Sequence, residues 1–238
     1  MHITERAKAR LILSADDYGI RDTVRRILPL AAAGKLHRVA VMARYCSKED
    51  AARLLATGVK IDLHLDLISL LGRGAVPGHG TLRRGLHFVV RHFLGYIPAS
   101  TVETEWRAQI KRFHELFGRA PDGLNSHEHV HFFPSFFRSL LALAHESRIP
   151  YVRFGQRGML LSLHHAAIGH VLHSLARTDH RRFTAAGLAT STYLVSLDWV
   201  HGKERFFRAL DLLPTEVTVE LVVHPEREAE FAFIDRHF

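Results

Sequence analysis

Asp16 and Asp17 form an adjacent acid pair in Ser14-Ala15-Asp16-Asp17-Tyr18-Gly19, directly after the apolar run Leu11-Ile12-Leu13. Like charges a few Å apart push one pKa up unless a cation or a proton relieves them, so the pair suits a metal ligand beside a general base. Asp also caps helices well, which is the ordinary structural use of an acid at such a point. In Asn125-Ser126-His127-Glu128-His129-Val130-His131, three histidines occupy alternate positions. If that stretch is extended they share one face, and neutral imidazole binds zinc and related ions. The spacing leaves open which of the three binds. In Ile61-Asp62-Leu63-His64-Leu65-Asp66, strand alternation puts Asp62, His64 and Asp66 on one face and the leucines on the other. A buried parallel strand is normally apolar on both faces, so this face reads as a ligand or its hydrogen-bonding surround. Arg153, which ends Tyr151-Val152-Arg153, and His224, held ahead of Pro225 in Val222-Val223-His224-Pro225, complete the candidates.

The elements that must position these residues can be read from periodicity. Apolar, β-branched runs at Leu11 to Ala15, Arg38 to Met42, Val59 to Leu65, Gly123 to Glu128, Tyr151 to Phe154, Thr192 to Ser196 and Val217 to Val223 read as strands. Helical patterns at 22–33, 48–57, 101–117, 135–147, 159–176 and 203–212 alternate with them. Strand and helix repeated in this way predict right-handed crossovers and a mostly parallel α/β sheet. About seven repeats without a nucleotide-binding glycine fingerprint favour an irregular (β/α) barrel over an open doubly wound sheet. In a barrel, Asp16, Asp17, His64, His127, Arg153 and His224 all converge on the mouth at the strands' C-terminal ends.

A length of 238 residues suits one large domain, 1–238, and 47% hydrophobic with 24% charged residues excludes disordered and fibrous classes. Cys46 is the one cysteine, which excludes an intramolecular disulfide and a cysteine-rich zinc site and points to a reducing compartment. No signal-peptide pattern or membrane-length apolar run occurs, so the expected location is cytoplasmic, at the inner face of the membrane. The formal charge of +8 favours an anionic partner. Lysines and arginines are scattered and no nucleic-acid motif occurs, so nucleic acid is not expected as a partner. Gly72, Gly74, Pro77, Gly78 and Gly80 mark an inserted loop within the interval 68–100. A basic amphipathic helix is expected at 82–97, with Leu82, Leu86, Val89, Val90 and Phe93 on one face and Arg84, His87 and Arg91 opposite. Such a helix suits an anionic bilayer.

The pieces Ala15-Asp16-Asp17-Tyr18-Gly19, Asp62-Leu63-His64-Leu65, Ser126-His127-Glu128-His129-Val130-His131 followed by Pro134, Val152-Arg153 and His224-Pro225 together resemble the YdjC family of carbohydrate deacetylases. Their order and gaps match that family over nearly the whole chain. The resemblance implies an irregular (β/α) barrel that hydrolyses acetyl from an N-acetylated sugar with one divalent ion, zinc first, with magnesium or another divalent ion also suitable. By position it implies Asp17, His64 and His127 as metal ligands, Asp16 as base and His224 as acid. Arg153 would hold Asp16 ionised, and Tyr18, His129 and His131 would contact substrate. Two departures stand out. Asn125 occupies a position where the family often has aspartate, and the chain ends soon after His224, without the closing helix and strand many relatives carry.

The chemistry agrees with those roles. An amide is a poor electrophile with a poor leaving group; a bound cation would acidify water and polarise the carbonyl. Asp16 would take the water proton and His224 would donate to the sugar nitrogen. The resemblance implies either soluble chitooligosaccharides or an N-acetylhexosamine carried on undecaprenyl phosphate during envelope or lipopolysaccharide modification. The +8 charge and the basic helix favour the lipid-linked sugar. The competing enzyme reading is a metal-dependent phosphoesterase, which would hold two or more ions.

Overall fold

A computed structural model describes residues 3–20, 22–71, 97–160 and 167–238. Most of the inserted loop and nearly all of the expected amphipathic helix, residues 72–96, lie outside the described residues.

Six described strands, β1 (Leu11–Tyr18), β2 (Arg38–Val41), β3 (Lys60–Leu65), β4 (Gly123–Ser126), β5 (Tyr193–Ser196) and β6 (Val219–Val223), pair in the order β4-β3-β2-β1-β6-β5. Every pairing is parallel, and β1 lies inside the sheet with nearly every residue buried. This is the curled α/β sheet expected from the strand and helix alternation, with one fewer regular strand. Tyr151 to Phe154 does not form a ladder. Tyr151 and Val152 make single bridges to Ala189 and Leu124, and Met159 bridges Leu194 of β5. The Arg153 N–H donates to the Leu124 carbonyl (2.9 Å) and the Val152 N–H to that of Ala189 (3.0 Å). The segment therefore lies between β4 and the approach to β5 as an irregular seventh strand. Pro150 offers no N–H, and Gly155 at φ 72° turns the chain away.

Eight described helices, α1 (Glu5–Lys8), α2 (Thr23–Ala32), α3 (Lys48–Leu55), α4 (Ala99–Phe117), α5 (Pro134–Glu146), α6 (Ala167–Ala186), α7 (Lys203–Asp211) and α8 (Glu228–His237), connect or flank the strands. On α4 a stripe of Val102, Trp106, Ile110, Phe113 and Phe117 is buried, at the spacing that turns one helical face to a core. Behind the irregular strand, Phe154 stacks between Phe137 and Phe183, each at 4.7 Å. Two expectations need correction. The helix expected at 159–176 runs on to Ala186, because Leu172, Ala176, Asp179 and Phe183 continue the buried stripe, while Met159 belongs to the bridge with β5. A helix also follows His224: α8 buries Ile234 and is tied to α2 by Arg26, which pairs with Glu228 (2.5 Å) and lies 5.0 Å from the Phe231 ring centre.

Charged residues, not only apolar ones, fill the interior between the strands. Arg38 donates Nε to Asp62 Oδ2 (2.7 Å) and Nη2 to Oδ1 (2.5 Å), and its guanidinium carbon stands 4.0 Å from the Tyr151 ring centre. Asp62 thus answers Arg38 and is no ligand. Gly123 makes room for the pair, since a Cβ there would lie 2.7 Å from Arg38 Nη2 and 2.8 Å from Asp62 Oδ1. Removing one member of a buried pair costs about 3–5 kcal/mol, whereas replacing both by apolar groups is often neutral. Asp62→Asn should therefore lower the urea midpoint substantially, and adding Arg38→Met should recover most of that loss. A double variant no more stable than the single one would show that the loss does not measure this pair.

Candidate metal centre

Neighbouring residues of a regular strand point to opposite faces, so Asp16 and Asp17 can serve one site only if the strand is broken between them. It is. Opposite β2, the step from Ala15 to Tyr18 on β1 matches only Val39 to Val41, one residue fewer. Asp17 absorbs the extra residue at φ 66°, a left-handed conformation that Asp tolerates better than most side chains. The Thr23 hydroxyl fixes the turn that follows, donating to the Asp17 carbonyl (2.8 Å) and accepting from the Gly19 N–H (3.2 Å).

The bulge brings Asp17 to His64 and His127. Asp17 Oδ1 is 3.3 Å from His64 Nε2 and 2.9 Å from His127 Nδ1, and one donor atom from each of the three lies within 4.8 Å of the other two. The two imidazoles meet edge to face, 5.5 Å apart. His64 Nδ1 meets Asn125 Oδ1 on the neighbouring strand, which fixes the ring with Nε2 toward Asp17. An uncharged amide therefore does here the orienting work expected of a carboxylate. Burial pushes the Asp17 carboxyl up, but His127 and His64 outweigh it and hold the group well below the usual carboxylate range. Burial likewise disfavours the charged form of His127, and the Asp17 carboxylate more than offsets this, so its pKa is raised.

Asp16 has a different partner. Arg153 donates Nη1 to Asp16 Oδ2 (2.7 Å) and Nη2 to Oδ1 (2.8 Å), a two-pronged clasp. The same guanidinium gives Nη2 to Ser14 Oγ (2.5 Å) and Nε to Glu220 Oε1 (2.6 Å), while the Tyr151 hydroxyl donates to Glu220 Oε2 (2.6 Å). Burial raises the Asp16 pKa, yet the Arg153 charge prevails and brings it down to about 2. Glu220 and Ser14 were not among the sequence candidates. The signal was present, since Glu220 is a lone acid within Val219-Glu220-Leu221-Val222-Val223.

The histidine run does not continue as a strand. β4 stops at Ser126, and His127 to Phe132 form a 3-10 turn in which Glu128 and His129 take φ 56° and 54°, so the three histidines do not share a face. His131 is wholly buried and satisfied: Nε2–H donates to the Arg153 carbonyl (2.9 Å) and Nδ1 accepts from the Ser126 hydroxyl (2.6 Å). Burial holds it neutral, well below the usual imidazole pKa. It is thus a brace for Arg153, not a substrate contact. Tyr18 is also wholly buried, its hydroxyl donating to the Asp50 carbonyl on α3 (2.9 Å), so it too is turned away from substrate. His129 differs. Burial brings its pKa down to about 3, its Nδ1 is buried without a hydrogen-bond partner, and its ring stands 5.4 Å from Trp199. Asp66 has its backbone clamped by Gln109 and its Oδ1 on the Ile68 N–H (2.9 Å), outside the three-residue cluster.

On the far side of the mouth, His224 directly follows β6, its N–H donating to Glu230 Oε2 (2.8 Å). Asp198 accepts from Ser196 Oγ (2.5 Å) and Arg227 Nη1 (2.7 Å). It and Glu226 sit in ordinary-looking loop sequence, which gave no sign of them.

The donor set fits a cation. One carboxylate and two imidazoles suit zinc and its neighbours. When ionised, Asp16, Asp17, Asp62, Asp66 and Glu220 carry five negative charges against the two positive ones of Arg38 and Arg153, all buried; a divalent ion offsets most of the surplus. Asn125→Ala removes the His64 anchor and should weaken zinc binding about 10–100-fold by calorimetry, with the circular dichroism spectrum retained. Unchanged affinity would remove Asn125 from that role.

A family model described as YdjC-like protein matches residues 10–236. A carbohydrate deacetylase from Danio rerio is 28% identical over 161 residues, 61% of this chain and 50% of that protein. A chitooligosaccharide deacetylase from Escherichia fergusonii is 29% identical over 145 residues, 58% of this chain and 57% of that protein. The chain thus spans about half the length of these curated relatives. The crystal structure of a protein named for cellobiose-phosphate cleavage, from Enterococcus faecalis V583, shares the fold with a TM-score of 0.57 at 21% identity, over 90% of this chain and 80% of that one. With the family pattern running from the first strand to the last helix, the chain belongs to the YdjC-like protein family.

Proposed function

We propose that the protein is a divalent-metal-dependent N-deacetylase that releases acetate from an N-acetylhexosamine carried on a lipid phosphate at the inner face of the membrane. The observation that carries the reading is the meeting of Asp17, His64 and His127 beside an Asp16 held by Arg153. The names of the relatives in Danio rerio and Escherichia fergusonii support the reaction class. The charge of +8 and the basic pattern at 82–97 support a phosphate-bearing substrate at a membrane. Soluble chitooligosaccharide is the second reading, favoured by the name of the bacterial relative.

Hydrolysis of an amide needs a base for water, stabilisation of the tetrahedral oxyanion and an acid for the leaving nitrogen. Asp17, His64 and His127 would hold a divalent ion, which would supply acidity to water and polarise the acetyl carbonyl. Asp16 accepts the proton of the attacking water. Arg153 keeps that carboxylate ionised and fixes its plane, and Glu220 and Tyr151 fix Arg153 in turn. His224 gives a proton to the departing nitrogen. His129, neutral and with a free Nδ1, accepts a hydrogen bond from a sugar hydroxyl.

Acetate release from diacetylchitobiose and from undecaprenyl-phosphate-linked N-acetylhexosamine, with and without a chelator, tests reaction, substrate and metal together. Chelator-sensitive release, faster on the lipid-linked sugar, is expected. Asp16→Asn and His224→Ala should each lower turnover about 100-fold or more while leaving bound metal unchanged. Release from neither substrate would overturn the reading, and release from diacetylchitobiose alone would move the assignment to soluble sugars.

A further inference from the structure

We propose that Glu226 receives the ammonium group that deacetylation leaves on the sugar, making it a determinant of product binding; this rests on the deacetylase reading above. Glu226 occupies the turn that ends β6. The Arg227 N–H donates to the His224 carbonyl (2.9 Å) and closes His224-Pro225-Glu226-Arg227. The turn is pinned from both sides, because the Arg227 Nη1 donates to Asp198 Oδ2 (2.7 Å) and Glu230 Oε1 (2.9 Å), while Glu230 Oε2 takes the His224 N–H.

Most carboxylates around this mouth are answered; Asp66 Oδ2 shares with Glu226 Oε2 the lack of a hydrogen-bond partner among the described residues. Asp16 has Arg153, Asp17 has the two histidines, Glu220 has Arg153 and Tyr151, and Asp198 and Glu230 have Arg227 with a further donor each. Glu226 is half-buried, and its Oε2 is buried without a hydrogen-bond partner among the described residues. An unanswered buried carboxylate oxygen is costly, and a ligand that brings a donor or a positive charge relieves it. Burial raises the Glu226 pKa; the charge of His224 opposes this and that of Asp17 adds to it. The turn that holds Glu226 is the one that begins at His224.

The reaction creates a cation at that place. The amide C–N bond breaks and a C–O bond to water oxygen forms. Nitrogen takes one proton from His224 and, as the acetic acid ionises, a second; the water proton held by Asp16 then returns to His224, so the two protons gained by nitrogen are in sum those of the water. A neutral amide thus becomes acetate and an ammonium beside His224. A carboxylate with one unanswered oxygen there complements the product and not the substrate. The expected consequence is inhibition by amino sugars that exceeds inhibition by their N-acetylated forms.

The test uses the full-length, zinc-loaded protein below neutral pH, where glucosamine is protonated. Glucosamine and N-acetylglucosamine are compared as inhibitors of acetate release and, independently, as ligands by intrinsic tryptophan fluorescence. Glu226→Gln keeps the shape and removes the charge, and should weaken glucosamine about tenfold or more while leaving N-acetylglucosamine unchanged. Glu226→Asp keeps the charge and should keep the preference for glucosamine. Equal effects on both sugars, or no glucosamine binding by the wild-type protein, would overturn the proposal. If no substrate yields acetate but glucosamine binding still depends on Glu226, the deacetylase reading falls and the amine site stands.

Discussion

The wholly buried Arg153 guanidinium, shared between Asp16 and Glu220, is the interaction on which the rest of the mouth depends. It reaches the interior from a segment without a strand ladder, so its own bonds help hold that segment in the sheet. Asp16, Glu220 and Ser14 accept from its side chain, and His131 holds its carbonyl. A charge so far from water persists only when it is paired and its donors are used. One arginine thereby fixes the candidate base, closes the gap between β4 and the approach to β5, and gives His131 a structural task.

The adjacent aspartates are separated by their partners more than by distance. Asp16 answers a guanidinium that never loses its charge, so it stays ionised and in place. Asp17 answers imidazoles, whose protons a metal ion displaces on binding. The same two residue types side by side thus acquire different chemistry. The left-handed turn at Asp17 makes this possible by breaking the alternation that would send the two carboxyls to opposite faces.

Much of this was legible from periodicity and residue type. The six regular strands fall where short β-branched runs stand, and Asp17, His64 and His127 were identifiable as acids and imidazoles at strand ends. What escaped was local backbone geometry. Alternate histidines look like one face of a strand, but two consecutive left-handed residues, Glu128 and His129, turn the run into a tight 3-10 segment. Tyr18 stands next to the ligand in sequence, yet strand pleating sends it to α3. Glu220, Asp62 and Arg38 appear as isolated charges in apolar strands, and sequence spacing cannot say which of them answer one another across a sheet. Glu226 sits in a turn and Asp198 in a short 3-10 segment after β5, where a carboxylate is ordinary.

The central claim is that Asp17, His64 and His127 hold one ion. Anomalous diffraction at the zinc edge from crystals grown with zinc tests it most directly. The expected result is a single peak about 2.0–2.2 Å from an Asp17 oxygen, His64 Nε2 and a ring nitrogen of His127. A zinc-saturated crystal with no peak bonded to these three side chains would contradict it.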